Sequence, residues 1–443
     1  MPGKSFGNID WAIFGYKGNQ FALNVLVVGS GGREHAIAWK LLQSPNVEAV
    51  VCTPGNGGTA TLENCQNVAI AVDNFDGIAQ ACADHNIEFV VVGPEVPLAM
   101  GLADFLAERS IPVFGPKKAG AIIEASKAWA KALMDEAGVP TAASGTFTDP
   151  QAAKDYIQAQ GAPIVVKADS LAAGKGVIVA ESLDEAIAAV DKLWEQGYDT
   201  LVVEEFLLGQ EVSVLALCDG KTIRPLLPSQ DHKQIGEGDT GENTGGMGVY
   251  APTPLAPPEV MAKVQTEVLE ATLNTLKARG IDYRGILYAG LMISPEGVVK
   301  VLEFNCRFGD PETQAVLPLL ETPLDEVLLA CVNQTLEELP PLQWYDGSAV
   351  CVVAASAGYP GAYEKGKAIT GLKEAESLKA TIFHAGTKLE GETLVTNGGR
   401  VLGVTCLGKT FDEAIANVYE AMPLIKFDGI YYRRDIGHRL KKT

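Results

Sequence analysis

The 443-residue sequence lacks a long apolar run, a surplus of positive charge and any C-x-x-C motif. No run approaches the ~18 apolar residues that predict a membrane span. Lysine and arginine number 35 against 55 acidic residues, and the net charge of −20 argues against binding to nucleic acid or anionic membranes. The eight scattered cysteines predict buried thiols in a reducing, cytoplasmic compartment rather than a disulfide framework or a zinc site. Because the net charge is negative, an anionic substrate must be held by a few local cations.

The length and composition predict a globular protein of several domains. Hydrophobic residues make up 47% of the chain and charged residues 20%, which is an ordinary globular balance. At roughly 150 residues per domain, the length predicts about three domains. Residues 1–23 lack the features of a signal or transit peptide, and we expect a disordered extension there. We place the domains at 24–120, 121–342 and 343–443, the last being a small α+β unit.

The first of these regions alternates short β-branched runs with helical patterns. Strands are predicted at 25–28, 49–52, 89–92 and 113–114, with helices at 34–42, 76–84 and 97–108. This alternation is typical of a Rossmann-like parallel sheet with helices on both faces. Glycine-rich or polar loops follow the first three strands, at 29–34, 54–59 and 93–95. Ligands bind at the carboxyl ends of such strands, so these loops mark one candidate edge.

The loop at 29–34 reads Gly-Ser-Gly-Gly-Arg-Glu, which invites a dinucleotide-binding interpretation. The G-x-G-x-x-G fingerprint fails because Glu34 stands where its third glycine is required. A single phosphate at the helix N-terminus, held by Ser30, Gly31, Gly32 and Arg33, stays feasible. A nicotinamide dehydrogenase is the alternative from another class, and a titration with NADH would test it.

The sharpest signal is the segment 301–310, in which polar and apolar residues alternate. In a β-strand, Glu303, Asn305 and Arg307 would share one face, with neighbours about 6.5 Å apart. The opposite face would then be apolar: Leu302, Phe304, Cys306 and Phe308. Carboxylate and amide oxygens suit Mg²⁺, and an arginine can hold a carboxylate through a two-pronged pair. A solvated antiparallel strand is the structural alternative, but the acidic turn at 309–312 favours a site.

Three further segments carry weaker signals. Residues 167–176 form a small-residue loop between two predicted strands, and its lysines suit a phosphate, although the segment is no Walker A loop and an ordinary hairpin turn stays possible. The strand end at 204–207, with Glu211, could supply an apolar slot, backbone groups and a carboxylate for adenosine, or be an exposed acidic end. The polar, glycine-rich stretch 229–250 has no usable periodicity, and we expect a functional role there.

Taken together, eight blocks of sequence resemble the phosphoribosylamine–glycine ligase (glycinamide ribonucleotide synthetase) family of ATP-grasp ligases. They lie at 25–35, 92–95, 167–177, 229–233, 243–248, 303–313, 383–387 and 396–400. The resemblance covers 24–437 and implies a central two-lobed ATP-grasp fold at 121–342, with a mobile lobe at about 144–210. It implies ATP and Mg²⁺ or Mn²⁺ as cofactors, and glycine and 5-phospho-β-D-ribosylamine as substrates. A cytoplasmic monomer without nucleic-acid or membrane partners is expected.

The resemblance also implies residue roles. It assigns ATP binding to Lys127, Lys167, Ala173, Gly174, Lys175, Gly176, Glu204, Glu205, Phe206, Leu207 and Glu211. Substrate binding falls to Ser30, Gly31, Gly32, Arg33, Glu95, Asp231, His232, Lys233, Arg307, Gly309 and Asp310. Glu303 and Asn305 would bind the metal, and Arg307, Lys167 and Asp231 would be catalytic, without a side-chain nucleophile.

The sequence departs from the wider ATP-grasp pattern at one strand and is compatible with two alternative functions. The strand at 287–292 has no acidic residue, so the ligands of a second metal are undetermined beyond Glu303. A non-catalytic nucleotide sensor would keep the ATP site without turnover. An ATP-grasp ligase or carboxylase for a different amine and acid is the nearer alternative.

Overall fold

A computed structural model describes residues 22–171 and 176–442. The predicted N-terminal extension lies outside the described residues except for Ala22 and Leu23, and so do Ala173, Gly174 and Lys175. In the described part of the chain, no helix is both long and apolar enough to span a membrane.

The N-terminal region is a five-stranded parallel sheet, which confirms the predicted fold. The strand order is β3-β2-β1-β4-β5. The strands are β1 (Leu23–Gly29), β2 (Val47–Pro54), β3 (Cys65–Asn67), β4 (Phe89–Val92) and β5 (Val113–Phe114), and the helices are α1 (Gly32–Leu41), α2 (Phe75–Asp84), α3 (Glu95–Met100) and α4 (Leu102–Ala107). The helix predicted at 97–108 is two helices, because Gly101 between them has a φ of +100°, which glycine adopts at little steric cost.

Two helices lead from this sheet into a small antiparallel sheet with the order β6-β9-β7-β8. The helices are α5 (Lys118–Ala125) and α6 (Lys127–Ala137), followed by β6 (Ser144–Phe147), α7 (Pro150–Gln160), β7 (Ile164–Ala168), β8 (Val177–Ala180), α8 (Leu183–Glu195) and β9 (Leu201–Glu205). Strands β7 and β8 pair antiparallel, as the predicted hairpin requires. Helices α7 and α8 cover an apolar core, and its buried residues in the described part of the chain belong to this sheet and its two helices.

A second antiparallel sheet has the order β11-β10-β16-β17 and carries the sharpest sequence signal on its last strand. This part of the chain contains β10 (Gln210–Asp219), β11 (Ile223–Pro225), β12 (Gln230–Asp231), β13 (Gln234–Gly236), β14 (Thr240–Asn243), β15 (Gly248–Ala251), α9 (Pro258–Lys263), a π-helix (Val264–Glu270), α10 (Ala271–Ala278), β16 (Arg284–Ile293), β17 (Val299–Asn305), α11 (Glu312–Leu319) and α12 (Leu324–Asn333). The stretch at 229–250 therefore has four short strands, which sequence periodicity did not reveal.

The C-terminal sheet joins β12 and β15 to later strands in the order β12-β15-β18-β22-β19, and β23 also pairs with β18. The remaining elements are β18 (Ser348–Ser356), α13 (Leu372–Ser377), β19 (Thr381–His384), β20 (Thr387–Glu390), β21 (Thr393–Thr396), β22 (Arg400–Gly408), α14 (Phe411–Ala421) and β23 (Ile430–Tyr431). Gln230 and Asp231 of β12 belong to the central region of the sequence, but they pair in the C-terminal sheet.

The apolar cores show which parts of the chain pack together. One core joins Leu26 and Val90 of the N-terminal sheet to Val214 and Leu287 of the antiparallel sheet of β10, β11, β16 and β17. Burial of this shared apolar surface stabilises the contact by about 25 cal/mol per Å². Separation of the two regions would lose that stabilisation. The sheet of β6–β9 has a core of its own, which is separate from this shared core.

Candidate active site

A cavity of about 440 Å³ lies between the N-terminal sheet, the sheet of β6–β9 and strand β17. Ten of the residues predicted from the sequence line it: Arg33, Glu95, Lys127, Lys167, Gly176, Glu204, Glu303, Asn305, Arg307 and Asp310. These residues come from positions up to about 280 apart in the chain, so tertiary folding creates the site.

Strand β17 presents Glu303 and Asn305 to this cavity, but it is shorter than predicted. It ends at Asn305, so Arg307 lies beyond the strand rather than on its face. The pairing with β16 also shifts beside Leu302, since Glu303 pairs with Gly290 while Val301 pairs with Leu291. Such a bulge breaks the strict alternation, and Leu302 lines the cavity instead of packing in the core. The Arg307 Nη2 still donates to Asn305 Oδ1 at 3.3 Å.

The Glu303 carboxylate is surrounded by cations. Burial opposes its ionisation, but Lys233, Lys167 and Lys127 hold the pKa of Glu303 below its usual value. The charged carboxylate and the Asn305 amide oxygen form a pair of hard oxygen ligands. Within residues 22–171 and 176–442, no group of three or more His, Cys, Asp or Glu residues could hold a metal. This pair fits Mg²⁺, which takes few protein ligands and completes its shell with phosphate oxygens and water.

Arg307 is held between two carboxylates that come from the N-terminal side of the cavity. Its Nε lies 3.3 Å from Glu95 and its Nη2 lies 3.0 Å from Glu124. Burial opposes the charge, but Glu124 and Glu95 raise the pKa of Arg307. Burial raises the pKa of Glu124, and the neighbouring Glu95 adds to the effect. Sequence reasoning missed Glu124, which has no recognisable motif around it.

Three lysines also line the cavity: Lys127, Lys131 and Lys167. Lys127 donates from Nζ to the Ser170 carbonyl oxygen at 2.8 Å. Lys167 lies 2.7 Å from Glu204, and Lys131 lies 3.4 Å from the other oxygen of the same carboxylate. Burial lowers the pKa of Lys127, and Lys167 adds to that effect although Glu303 opposes it. Lys131 was not predicted, because a lysine on an amphipathic helix carries no motif.

The segment predicted to hold adenosine is divided by the structure. Glu204 is buried and paired with the two lysines described above. Glu205 is exposed and pairs with Lys300 at 3.0 Å. Phe206 and Leu207 follow β9 outside the cavity lining, as does Glu211, which pairs with Lys233 at 2.5 Å.

The N-terminus of α1 already meets carboxylates. The backbone N–H of Gly31 donates to Glu34 at 2.6 Å, and that of Arg33 donates to Asp310 at 3.4 Å. Ser30 is exposed, and Gly32 packs against Gln314. A phosphate at this helix N-terminus would therefore share the space with the side chains of Glu34 and Asp310.

Asp310 also forms an ion pair with Arg400, which begins strand β22 of the C-terminal sheet. Arg400 Nη1 lies 3.3 Å from the Asp310 carboxylate and donates to the Gly245 carbonyl oxygen at 2.7 Å. Burial opposes ionisation, but Arg400 and Arg33 lower the pKa of Asp310. Gly309, just before it, is buried against Glu312. Arg400 ends the sequence block 396–400 without an assigned role, and the structure places it in the cavity lining.

The segment at 231–233 lies beside the cavity and is held by the C-terminal residues. Arg439 Nη1 donates to the Asp231 carbonyl oxygen at 2.9 Å. His232 Nδ1 donates to the Gly248 carbonyl oxygen at 3.1 Å, and burial lowers the pKa of His232 to about 3. Burial, reinforced by Glu312, raises the pKa of Asp231. Burial opposes the charge on Lys233, but Glu211 and Glu303 raise its pKa. His232 is therefore a buried, hydrogen-bonded side chain that supports the structure. The charge of Lys233 instead interacts with Glu303, the candidate metal ligand.

Comparison with known proteins covers nearly the whole chain. Models of the phosphoribosylglycinamide synthetase N domain, ATP-grasp (A) domain and C domain match residues 23–124, 125–313 and 349–439. A phosphoribosylamine–glycine ligase of Nostoc sp. is 64% identical over 423 residues, which are 94% of this chain and 100% of that protein. The Synechocystis sp. enzyme of the same name is 62% identical over 417 residues, with the same coverage of both chains.

Solved structures agree. The crystal structure of phosphoribosylamine–glycine ligase from Thermotoga maritima has a TM-score of 0.80 and 36% identity, covering 94% of this chain and 100% of that one. A biotin carboxylase from Campylobacter jejuni, at 14% identity and a TM-score of 0.70, covers 95% of both chains and shares the fold. The matched domains and the identity to these relatives show that the chain belongs to the phosphoribosylglycinamide synthetase family.

Proposed function

We propose that the protein uses ATP to join glycine to 5-phospho-β-D-ribosylamine, releasing glycinamide ribonucleotide, ADP and phosphate, as a step of purine biosynthesis. The observation that carries the proposal is a single cavity in which Glu303 and Asn305 lie among Lys127, Lys167 and Arg307. This charge arrangement suits a magnesium–triphosphate complex next to a small carboxylate. The family relationship supports the choice of substrates.

The chemical problem is electrostatic. Glycine's carboxylate is a poor electrophile, so its oxygen first attacks the terminal phosphorus of ATP, and ADP leaves. The sugar's amine then attacks the acyl carbon of glycyl phosphate, loses a proton and displaces phosphate. At ~4 Å and an effective dielectric of ~20, each contact between like charges costs about 4 kcal/mol. Positioned cations offset that repulsion, which is how phosphoryl-transfer enzymes gain most of their rate.

The residues divide this work among themselves. Lys127 and Lys167 contact ATP phosphates, and Gly176 lines the cavity with them. Glu204, Glu205, Phe206, Leu207 and Glu211 receive adenosine. Arg307 holds glycine's carboxylate, and its two carboxylate neighbours fix its orientation.

Glu303 and Asn305 hold the divalent cation, Mg²⁺ or Mn²⁺, which when bound withdraws charge from the phosphates. No residue acts as a covalent nucleophile.

Phosphoribosylamine would lie between the N-terminal loop and the C-terminal sheet. Arg33, Glu95 and Asp310 line the cavity, and Lys233 is close enough to Glu303 for their charges to interact. The carboxylates at the N-terminus of α1 favour the amine and hydroxyl groups of the sugar there over its phosphate.

We also propose that the chain acts as a cytoplasmic monomer, and that 144–210 moves as a lobe because it has a separate core.

The test is ADP release with each reactant omitted in turn. We expect release to require ATP, a divalent cation, glycine and phosphoribosylamine together, and to produce glycinamide ribonucleotide. Parallel series with Mg²⁺ and Mn²⁺ show which ion supports the faster rate. ADP release triggered by another small acid, with glycine inactive, would assign a different ligase or carboxylase activity. If no combination of reactants releases ADP, the result would favour a non-catalytic nucleotide sensor over an enzyme.

A further inference from the structure

Two cysteines lie side by side at the edge of the N-terminal sheet. Cys52 is in β2 and Cys65 is in β3, and their sulfur atoms are 3.7 Å apart. Cys65 pairs with Val50, and Cys52 pairs with Asn67. Because residues two apart in a strand point to the same side, both thiols project from one face of the sheet. Strand β3 has three residues and lies at the edge, so it can shift with little loss of pairing.

Cys65 differs from the other seven cysteines, all of which lie in the described part of the chain. It is half-buried, whereas the others are buried. The hydrogen bond between the two thiols lowers the pKa of Cys65 and raises that of Cys52. Burial raises the pKa of Cys82 to about 11 and that of Cys351 to about 12. Thiolate character and access decide which cysteine reacts, and both favour Cys65.

We propose that Cys52 and Cys65 form a reversible disulfide that acts on the loop between them. The oxidant is a low-molecular-weight disulfide. The Cys65 thiolate attacks one of its sulfurs, forming a mixed disulfide and releasing one thiolate. Cys52 then loses its proton and attacks the Cys65 sulfur, which releases the second thiolate. Two protein thiols are oxidised and one small disulfide is reduced to two thiols, so atoms and electrons balance.

The enclosed loop connects three parts of the molecule. Asn56 donates from Nδ2 to the carbonyl oxygens of Ser30 and His384, at 2.9 and 2.7 Å. Asn67, two residues after Cys65, holds this loop by donating to the Asn56 carbonyl oxygen at 2.8 Å and accepting from Thr59 at 2.7 Å. A disulfide needs the sulfurs about 2.05 Å apart, so its formation draws β3 toward β2 and displaces Asn67. The disulfide thereby changes the position of the loop whose Asn56 binds the carbonyl oxygens of Ser30 and His384.

The chemical test uses the whole folded chain and oxidised glutathione. After oxidation, free thiols are alkylated and the peptides are mapped by mass spectrometry. We expect a Cys52–Cys65 cross-link, six alkylatable thiols after denaturation, and full reversal by dithiothreitol. Cys52→Ser should stop at a mixed disulfide on Cys65, and Cys65→Ser should react at neither position. Cys82→Ala is the matched control and should cross-link as the unaltered chain does.

Two results would overturn the pairing. One is a mixed disulfide on Cys65 that persists while Cys52 is present, and the other is an unreacted Cys65. Circular dichroism spectra of the variants, matching that of the unaltered chain, show that a missing cross-link does not come from misfolding.

The effect on activity rests on the proposed function, in which phosphoribosylamine lies beside the N-terminal loop whose Ser30 carbonyl oxygen accepts from Asn56. We expect oxidation to raise the KM for phosphoribosylamine about threefold or more with little change in kcat, because binding rather than chemistry is disturbed. A cross-linked enzyme with an unchanged KM would overturn the effect on the loop. If even the reduced chain releases no ADP, the proposed function fails, whereas the peptide map still decides the pairing.

Discussion

Glu124 offers a test of how the glycine end of the site is held. One of its oxygens lies 3.0 Å from Arg307, and the other accepts from the backbone N–H of Cys306 at 2.8 Å. Its side chain is 8% exposed. We predict that Glu124→Ala and Glu124→Gln both weaken glycine binding, but that only Glu124→Ala destabilises the fold.

The magnitudes follow from the two contacts. Alanine leaves the buried Cys306 N–H without this acceptor, which costs about 1–3 kcal/mol. Glutamine keeps one acceptor oxygen for that N–H but turns its NH₂ group toward Arg307, so orientation of the guanidinium is lost. The folded pKa of Glu124 is raised, so its charge costs stability as pH rises through that pKa. Neutral glutamine is therefore expected to leave the free energy of unfolding at pH 8 unchanged or higher.

The assays are urea unfolding at pH 8 and the glycine dependence of ADP release. We expect Glu124→Ala to lower the free energy of unfolding by about 1–3 kcal/mol, and both variants to raise the KM for glycine. Equal destabilisation by the two substitutions would refute the role of the Cys306 N–H contact. An unchanged KM for glycine in both variants would refute the positioning of Arg307.

Three other predictions concern the metal ligands, the glycine site and acid stability. Glu303→Ala should abolish ADP release while the Tm stays close to that of the unaltered chain; a near-normal rate at saturating Mg²⁺ would contradict this. Arg307→Lys should mainly raise the KM for glycine, because lysine cannot form the two-pronged pair; an unchanged KM would argue against that role. Although burial opposes it, hydrogen bonds from Arg433 and Gly238 lower the pKa of Asp435 to about 2. The stabilisation by the charged Asp435 is therefore present above the unfolded pKa of about 3.9 and is lost toward pH 2. The difference in free energy of unfolding between the unaltered chain and Asp435→Asn should close over that range. A constant difference in urea unfolding would refute this.

Local patterns predicted the parts of the fold that depend on local interactions. Alternating apolar runs and helical patterns were sufficient for the parallel N-terminal sheet and for the β7–β8 hairpin. The same local rule was wrong for Arg307, because the bulge at Leu302 and the end of β17 depend on pairing with β16. Strands β12 and β15 were not predicted, because they gain their order from pairing with each other and from the pairing of β15 with β18, about a hundred residues away.

By itself the sequence determined the chemistry available at the site. The residue types and their spacing singled out Glu303, Asn305 and Arg307, and the resemblance of ordered motifs indicated the family. Only the tertiary structure decided which groups neutralise one another. Glu124, Lys131 and Arg400 lie far from their partners in the chain, and burial and pair distance, which no local pattern encodes, set their charges and contacts.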